Sequence, residues 1–267
     1  MIYSKLLFKV ILKLSGNDTK IQFGEYSFKQ NVKLLEVIET FINGNYYYRK
    51  IIIPECSTVE EVLKIIESNN YLKGKVLELP KEGSIFPDTY FFQRGEDKNK
   101  VILRMQNKMN EEVNIIWENK NNLFYSKLDL IKLASLIESE AMKNNEKYII
   151  SSVFHNRIKI GMKLQSDPTI LYAKNLKNNI KSRKIFKKDL LSDSPWNTYT
   201  REGLPLTPIC NPGKEAIDAA MNPRSTSFIY FVADGKGGHR FSSNYKQHLK
   251  NIKLWKNKIR DTNEIKK

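Results

Sequence analysis

Apolar residues recur at helical spacing in several stretches, and residues 128–144 form the best bounded of them. Ser126 stands at the start with Asp129 three residues later, a helix-start signature. Leu130, Leu133, Leu136, Ile137 and Ala141 then follow with a helical period. Two carboxylates interrupt this pattern. At about 100° per residue, Glu138 and Glu140 lie about 200° apart and cannot share a face. Glu140 falls with Leu133, Leu136 and Ile137 on the apolar side, and Glu138 points the other way with Ser135 and Ile131.

Around this helix the pattern predicts an α+β chain. Residues 1–16 read as an amphipathic helix. Residues 21–28 read as a short strand broken at Gly24. A helix over 31–43 is stopped by Gly44. A strand over 46–53 ends at Pro54. Ser57 and Glu60 make a capping box for a helix to about Glu67. Residues 69–95 carry glycines and prolines with little periodicity, so the best boundary falls there. Asp97 caps a long polar helix to about Asn119, and another helix runs from Glu146 to Ile160. Gly161 to Gly213 reads as long structured loops. A short helix over 214–221, a hairpin with strands at 227–232 and 239–241, and a basic helix over 245–258 close the chain. The domain reading is 1–73 for a small αβ subdomain, 74–100 for a connection, 101–260 for a mainly helical domain with a C-terminal β-hairpin, and 261–267 for a polar tail.

Composition narrows the function classes only a little. The 267 residues include 45 Lys and Arg against 29 Asp and Glu, a formal charge of +16. Such a surplus favours an anionic partner or surface. The basic residues are scattered rather than gathered on one face, which argues against nucleic acid. Cys56 and Cys210 share no metal-ligand spacing, and free thiols are the expectation. No HExxH or CxxC pattern accompanies His155, His239 and His248, so neither metal catalysis nor a cofactor is expected. The first sixteen residues are too short and too charged to span a bilayer and lack a signal-peptide core. Read alone, the chain is cytosolic or is preceded by an export segment upstream of Met1.

The loops between 161 and 213 hold the candidate binding chemistry. LQSDPT at 164–169, SPWNTYT at 194–200 and GLPLTPICNPG at 203–213 mix amides and hydroxyls with aromatics. Gln165, Asn197, Tyr199, Thr200 and Asn211 suit a ligand rich in hydroxyls and amides, and Trp196 and Tyr199 can stack on sugar rings. The same Asn and Thr residues can equally serve loop backbone groups.

Together ASLIESEA at 134–141, VFHNRIKIGMKLQSDPT at 153–169, NTYTREGLPLTPICNPG at 197–213 and YFVADGKGGHRFSSNYKQH at 230–248 resemble the endolytic murein transglycosylases, the YceG-like family. GEYSF at 24–28 and FPDTY at 86–90 resemble that family's LysM-like part. The resemblance implies cleavage of peptidoglycan glycan strands between N-acetylmuramic acid and N-acetylglucosamine, leaving a 1,6-anhydro ring. It implies that Glu140 is the catalytic acid–base and Glu138 a supporting residue. Gln165, Asp167, Asn197, Tyr199, Thr200 and Asn211 would line the cleft. It also implies a membrane-anchored protein facing the periplasm or cell exterior and coupled to cell-wall synthesis proteins, although the family's transmembrane segment is missing from this sequence. Leu206 and Thr207 depart from the Pro and Gly common after GLP. A non-catalytic peptidoglycan binder is the alternative.

Overall fold

A computed structural model describes residues 5–118, 126–141, 143–178, 182 and 184–265. In chain order the elements are α1 (Lys5–Leu14), α2 (Leu34–Asn43), β1 (Arg49–Ile52), α3 (Val59–Glu67), β2 (Thr89–Phe92), α4 (Lys98–Glu118), α5 (Lys127–Glu140), α6 (Asn144–Lys159), α7 (Asp167–Asn178), α8 (Lys187–Leu190), α9 (Lys214–Met221), β3 (Tyr230–Ala233), β4 (His239–Ser242) and α10 (Tyr245–Ile265). The body is mainly helical, with a two-stranded hairpin near the C-terminus, as the pattern predicts.

The chain divides into two compact units. The smaller comprises Met1–Ile52, Lys64–Glu78 and Thr89–Val101; the larger comprises Ile53–Leu63, Leu79–Asp88 and Ile102–Lys267. In the smaller unit β1 pairs antiparallel with β2, Arg49 opposite Phe92 and Ile52 opposite Thr89. Gly44 ends α2 in the left-handed conformation, φ 65°, and its N–H donates to the Thr40 carbonyl. Arg49 forks onto Glu25, Nε to Oε2 at 2.7 Å and Nη2 to Oε1 at 3.0 Å. That pairing holds the Glu25 carboxyl down to about 2. The expected strand over 21–28 is absent. Tyr26 and Phe28 instead place their rings edge-on against Phe41 of α2. The strand that pairs with β1 comes from the segment read as a loop.

The larger unit is built on α5. Leu130, Leu133, Ala134, Leu136 and Ile137 are all fully buried. They pack with Met109 and Val113 of α4, Ile150 and Phe154 of α6, and Ala216, Ala219 and Ala220 of α9. The small side chains on α9 let its backbone lie close to α5, and α5 is buried at every position from Leu133 to Glu138. The box opening α3 lies one residue later than the sequence suggests. Thr58 Oγ1 accepts from the Glu61 N–H, and Glu61 Oε2 accepts from the Thr58 N–H. Ser57 Oγ donates to the Pro54 carbonyl instead.

Three further expectations are corrected. The stretch from Gly161 to Gly213 contains α7, a twelve-residue helix. Asp167 and Pro168 open it, and proline suits a first helical turn, where its missing N–H goes unneeded. The last helix is longer than expected, since α10 continues to Ile265; Lys266 and Lys267 lie outside the described residues. Cys56 and Cys210 are joined as a disulfide with Cα atoms 4.8 Å apart, not left as free thiols. The cause is a backbone bridge no local pattern displays. Cys56 N–H donates to the Asn211 carbonyl and Asn211 N–H to the Ser57 carbonyl, each at 3.0 Å, which sets the two segments side by side.

Candidate active site

Glu140 is the last residue of α5. The helix begins as the sequence signals, with Ser126 Oγ accepting from the Asp129 N–H at 3.1 Å. It stops at Ala141, which turns to extended backbone while its N–H still reaches the Ile137 carbonyl. Glu140 therefore stands where a rigid, buried helix gives way to loop, and its side chain is half-buried.

Its carboxyl accepts a hydrogen bond from Ser166 Oγ, to Oε1 at 2.6 Å. No salt bridge to Glu140 forms among the described residues. Burial pushes the carboxyl up to about 7, and the negative charge of Asp167 adds to this; the Ser166 hydroxyl and the Arg157 charge pull the other way. A carboxyl with that midpoint is about half protonated at neutral pH. It can give a proton and, once ionised, take one back.

The turn that carries Ser166 is fastened at each residue. Gln165 adopts the left-handed conformation at φ 48°, and its N–H donates to the Thr198 carbonyl at 3.0 Å. The Ser166 N–H donates to Thr198 Oγ1 at 3.0 Å. Thr169 Oγ1 donates to the Ser166 carbonyl at 2.6 Å. Arg157 on α6 is buried and reaches two segments, Nη1 to the Leu164 carbonyl at 2.6 Å and Nε to the Ile229 carbonyl at 2.7 Å. Desolvation lowers its pKa, and the nearby Tyr230, Tyr199 and Glu140 oppose that. The positive φ at Gln165 aims its exposed side chain away from this buried lattice, and non-glycine residues in that conformation concentrate at functional sites.

The predicted cleft residues divide into two groups. Gln165, Asp167 and Tyr199 gather beside Ser166 and Glu140. Tyr199 donates its hydroxyl to Asp167 Oδ1, and burial together with Asp167 raises its pKa well above that of a free phenol. Asn197 is fully buried under them. Its amide donates to the Leu190 and Ser192 carbonyls and accepts from the Tyr199 N–H, so it shapes the loop. Thr200 turns its hydroxyl back to the Asn197 carbonyl at 3.3 Å. Asn211 is fully buried elsewhere: it donates to the Ser57 carbonyl at 2.8 Å and accepts from the Ile85 N–H at 2.9 Å.

Glu138 occupies the opposite side of α5, as the helical angle requires, yet it too is buried because α6 and α9 cover that side. Lys147 Nζ lies 2.7 Å from Oε1. The Gly213 N–H donates to Oε2 at 2.9 Å. Gly213 caps the N-terminus of α9, where a carboxylate is favoured by the helix dipole. The two carboxyls, two residues apart on one helix, thus differ in kind: Glu138 is ion-paired with Lys147, while Glu140 has a hydroxyl partner and is raised to about 7 by burial.

Four residues near the carboxyl or its supports escaped the sequence reading: Arg157, Ser166, Thr198 and Glu82. Ser166 was visible only as part of the LQSDPT motif at 164–169. Glu82 accepts from the Val59 N–H at 3.0 Å and from Tyr172 Oη at 3.2 Å, and burial raises it to about 7. His239 is committed to Glu146, Nδ1 to Oε2 at 2.7 Å. His248 stacks on Tyr230 with ring centroids 4.8 Å apart. Among the described residues no group of three or more His, Cys, Asp or Glu is placed to hold a metal ion. No helix of the described residues is long and apolar enough to cross a membrane.

The model of the YceG-like family matches residues 1–254. An endolytic murein transglycosylase of Bacillus subtilis is 31% identical over 250 residues, covering 90% of this chain and 67% of its own. One of Streptococcus pneumoniae is 31% identical over 173 residues, covering 64% of this chain and 31% of its own. The chain spans about two thirds of the length of the first relative and about a third of the second. A crystal structure of a YceG-like protein from Listeria monocytogenes is similar with a TM-score of 0.64 at 27% identity, covering 93% of this chain and 90% of that one. With a family model matching nearly its whole length and a relative sharing almost a third of its residues, this chain belongs to the YceG-like family.

Proposed function

We propose that this chain is an endolytic lytic transglycosylase of peptidoglycan, with Glu140 as its acid–base. The observation that carries the reading is the Glu140 carboxyl at the end of α5, raised to about 7 by burial, hydrogen-bonded by Ser166 Oγ beside the predicted sugar-binding residues and free of any salt bridge among the described residues; Glu82, raised as far, is instead taken up by the Val59 N–H and Tyr172 Oη. The names of its relatives supply the substrate class.

A glycoside hydrolase ordinarily places two carboxyls across the bond, one as acid and one as nucleophile or base. Here Glu138 is bound to Lys147 and to the Gly213 N–H, and serves as a strut for the helix. One acid is sufficient when the nucleophile belongs to the substrate. Protonated Glu140 gives its proton to the glycosidic oxygen as the C1–O bond breaks. The carboxylate left behind then takes the proton of the muramic C6 hydroxyl, whose oxygen bonds to C1 and closes the 1,6-anhydro ring. No water is consumed, and the hydroxyl is held at high effective concentration by its own sugar. Gln165, Asp167, Tyr199 and Thr200 bind sugar hydroxyls and acetamido groups around this centre; Asn197 and Asn211 keep the loops in shape. The smaller unit is read as the LysM-like part that grips the glycan strand. Action on peptidoglycan places the protein outside the cytoplasm, at the membrane or cell wall. The disulfide suits such an oxidising compartment.

Mass spectrometry of peptidoglycan digested by the purified chain tests the reading. Anhydro ends, each one water lighter than a reducing end, are expected from the wild type and are lost in Glu140→Gln, which still sediments with sacculi. Reducing ends would make it a hydrolase, and binding without any cleavage by the wild type would make it a non-catalytic binder.

A further inference from the structure

A groove of about 620 Å³ runs along α7 and is lined opposite it by α8 and the segment that follows, to Trp196. Ile170 and Ala173 form part of its floor, and Phe186 and Trp196 are aromatic walls. It is attached to the candidate active site at both borders. Asp167, the first residue of α7, is held by Tyr199 and follows Ser166, the partner of Glu140. Trp196 belongs to the same loop as Thr198, which fastens the Ser166 turn.

The charges in the groove are unbalanced. Lys174 is neutralised by Asp189 at 2.8 Å and lies over the Phe186 ring at 4.6 Å. Asp193 is taken by Arg201 at 2.8 Å. Lys177 and Lys188 line the groove, are exposed, and form no salt bridge among the described residues. The occupant therefore carries carboxylates, and its remaining surface is small and apolar. Along the lining from Ile170 to Asn178 the helix rises about 12 Å. An extended peptide of four residues spans about 13 Å.

Resting on the reading of the chain as a murein transglycosylase, we infer that the α7 groove binds the acidic stem peptide that hangs from the muramic acid next to the scissile bond. The stem offers free carboxylates to Lys177 and Lys188 and alanine methyl groups to the Ile170–Ala173 floor and the Trp196 wall. The enzyme then selects muramic acids that still carry their peptides.

The test uses glycan strands with intact, uncross-linked stems, and the same strands stripped of peptide by an amidase. The wild type is expected to show a KM at least tenfold lower on the peptide-bearing strands. The double variant K177E/K188E is expected to lose that preference while cleaving stripped strands at the wild-type rate. Equal KM values for the wild type on the two substrates would overturn the inference, as would a variant that slows both substrates alike. A synthetic Ala-γ-Glu-Lys-Ala tetrapeptide, titrated calorimetrically, separates this inference from the activity it rests on. If the wild type cleaves neither strand but binds the tetrapeptide and K177E/K188E does not, the activity reading fails and the groove assignment stands. If the tetrapeptide binds neither protein, the groove assignment fails.

Discussion

Replacing Glu140 with Gln should stabilise the protein at alkaline pH while removing its activity. In the folded chain the carboxyl keeps its proton until about pH 7, against an ordinary midpoint of 4.5. Between those values the native state holds a proton that the unfolded chain has released. Stability therefore falls as pH rises from about 4.5 to 7, and the full loss is present above 7. At about 1.4 kcal/mol for each pH unit the bound is about 3.5 kcal/mol, and solvent screening of this half-buried group brings the cost of the anion at pH 8 to at most about 3 kcal/mol. Gln fits the same space and can still accept from Ser166 Oγ, but it carries no charge to desolvate. The variant should match the wild type near pH 4 and exceed it by up to about 3 kcal/mol at pH 8, with a raised urea midpoint and an unchanged m value. Urea unfolding followed by fluorescence of Trp117 and Trp196 at the two pH values measures this. A variant no more stable than the wild type at pH 8, or stabilised equally at pH 4, would refute the claim that the fold holds an unfavourable anion at this position.

Other perturbations follow from the supports of the site. Lys147→Met leaves Glu138 buried and unpaired, and should cost about 3–5 kcal/mol of stability in the same unfolding assay. Arg157→Lys removes the planar fork to the Leu164 and Ile229 carbonyls, and should lower kcat about 10- to 100-fold with little change in KM and an unchanged circular dichroism spectrum. The cystine closes a loop of 154 residues, so Cys210→Ser should lower stability by about 2–4 kcal/mol, and intact protein should resist alkylation until reduced. Activity should have an alkaline limb with a midpoint near 7, because the protonated acid is the active form, and Glu140→Asp should not restore it.

The helical skeleton was legible because its signals are local. The Ser126–Asp129 cap, the Gly44 stop, and the apolar rows of α5, α6 and α9 sit within a few residues of the structure they specify. The placement of Glu140 beside the apolar row of α5 was legible for the same reason, while the role given to it came from the family resemblance. The parts that were not legible depend on distant partners. The pairing of β1 with β2 joins residues forty apart in the chain. Cys56 meets Cys210 only because the segments around them exchange backbone hydrogen bonds. The burial of Glu138 follows from α9 crossing α5 on small side chains, which its own helix does not reveal. α7 was hidden because its apolar face is interrupted by lysines, although Asp167–Pro168 marks its start. Asn197 and Asn211 have the chemistry of sugar ligands, and only their bond partners show that they hold loops.

Catalysis by Glu140 requires that its carboxyl still hold a proton in about half of the molecules at neutral pH. The most direct measurement is a carbon-13 NMR titration of side-chain-labelled glutamate, with the Glu140 signal assigned by its loss in Glu140→Gln. A midpoint near 7 is expected for that signal. A midpoint near 4.5 would contradict it, since the carboxyl would then be an ordinary surface anion with no proton to donate.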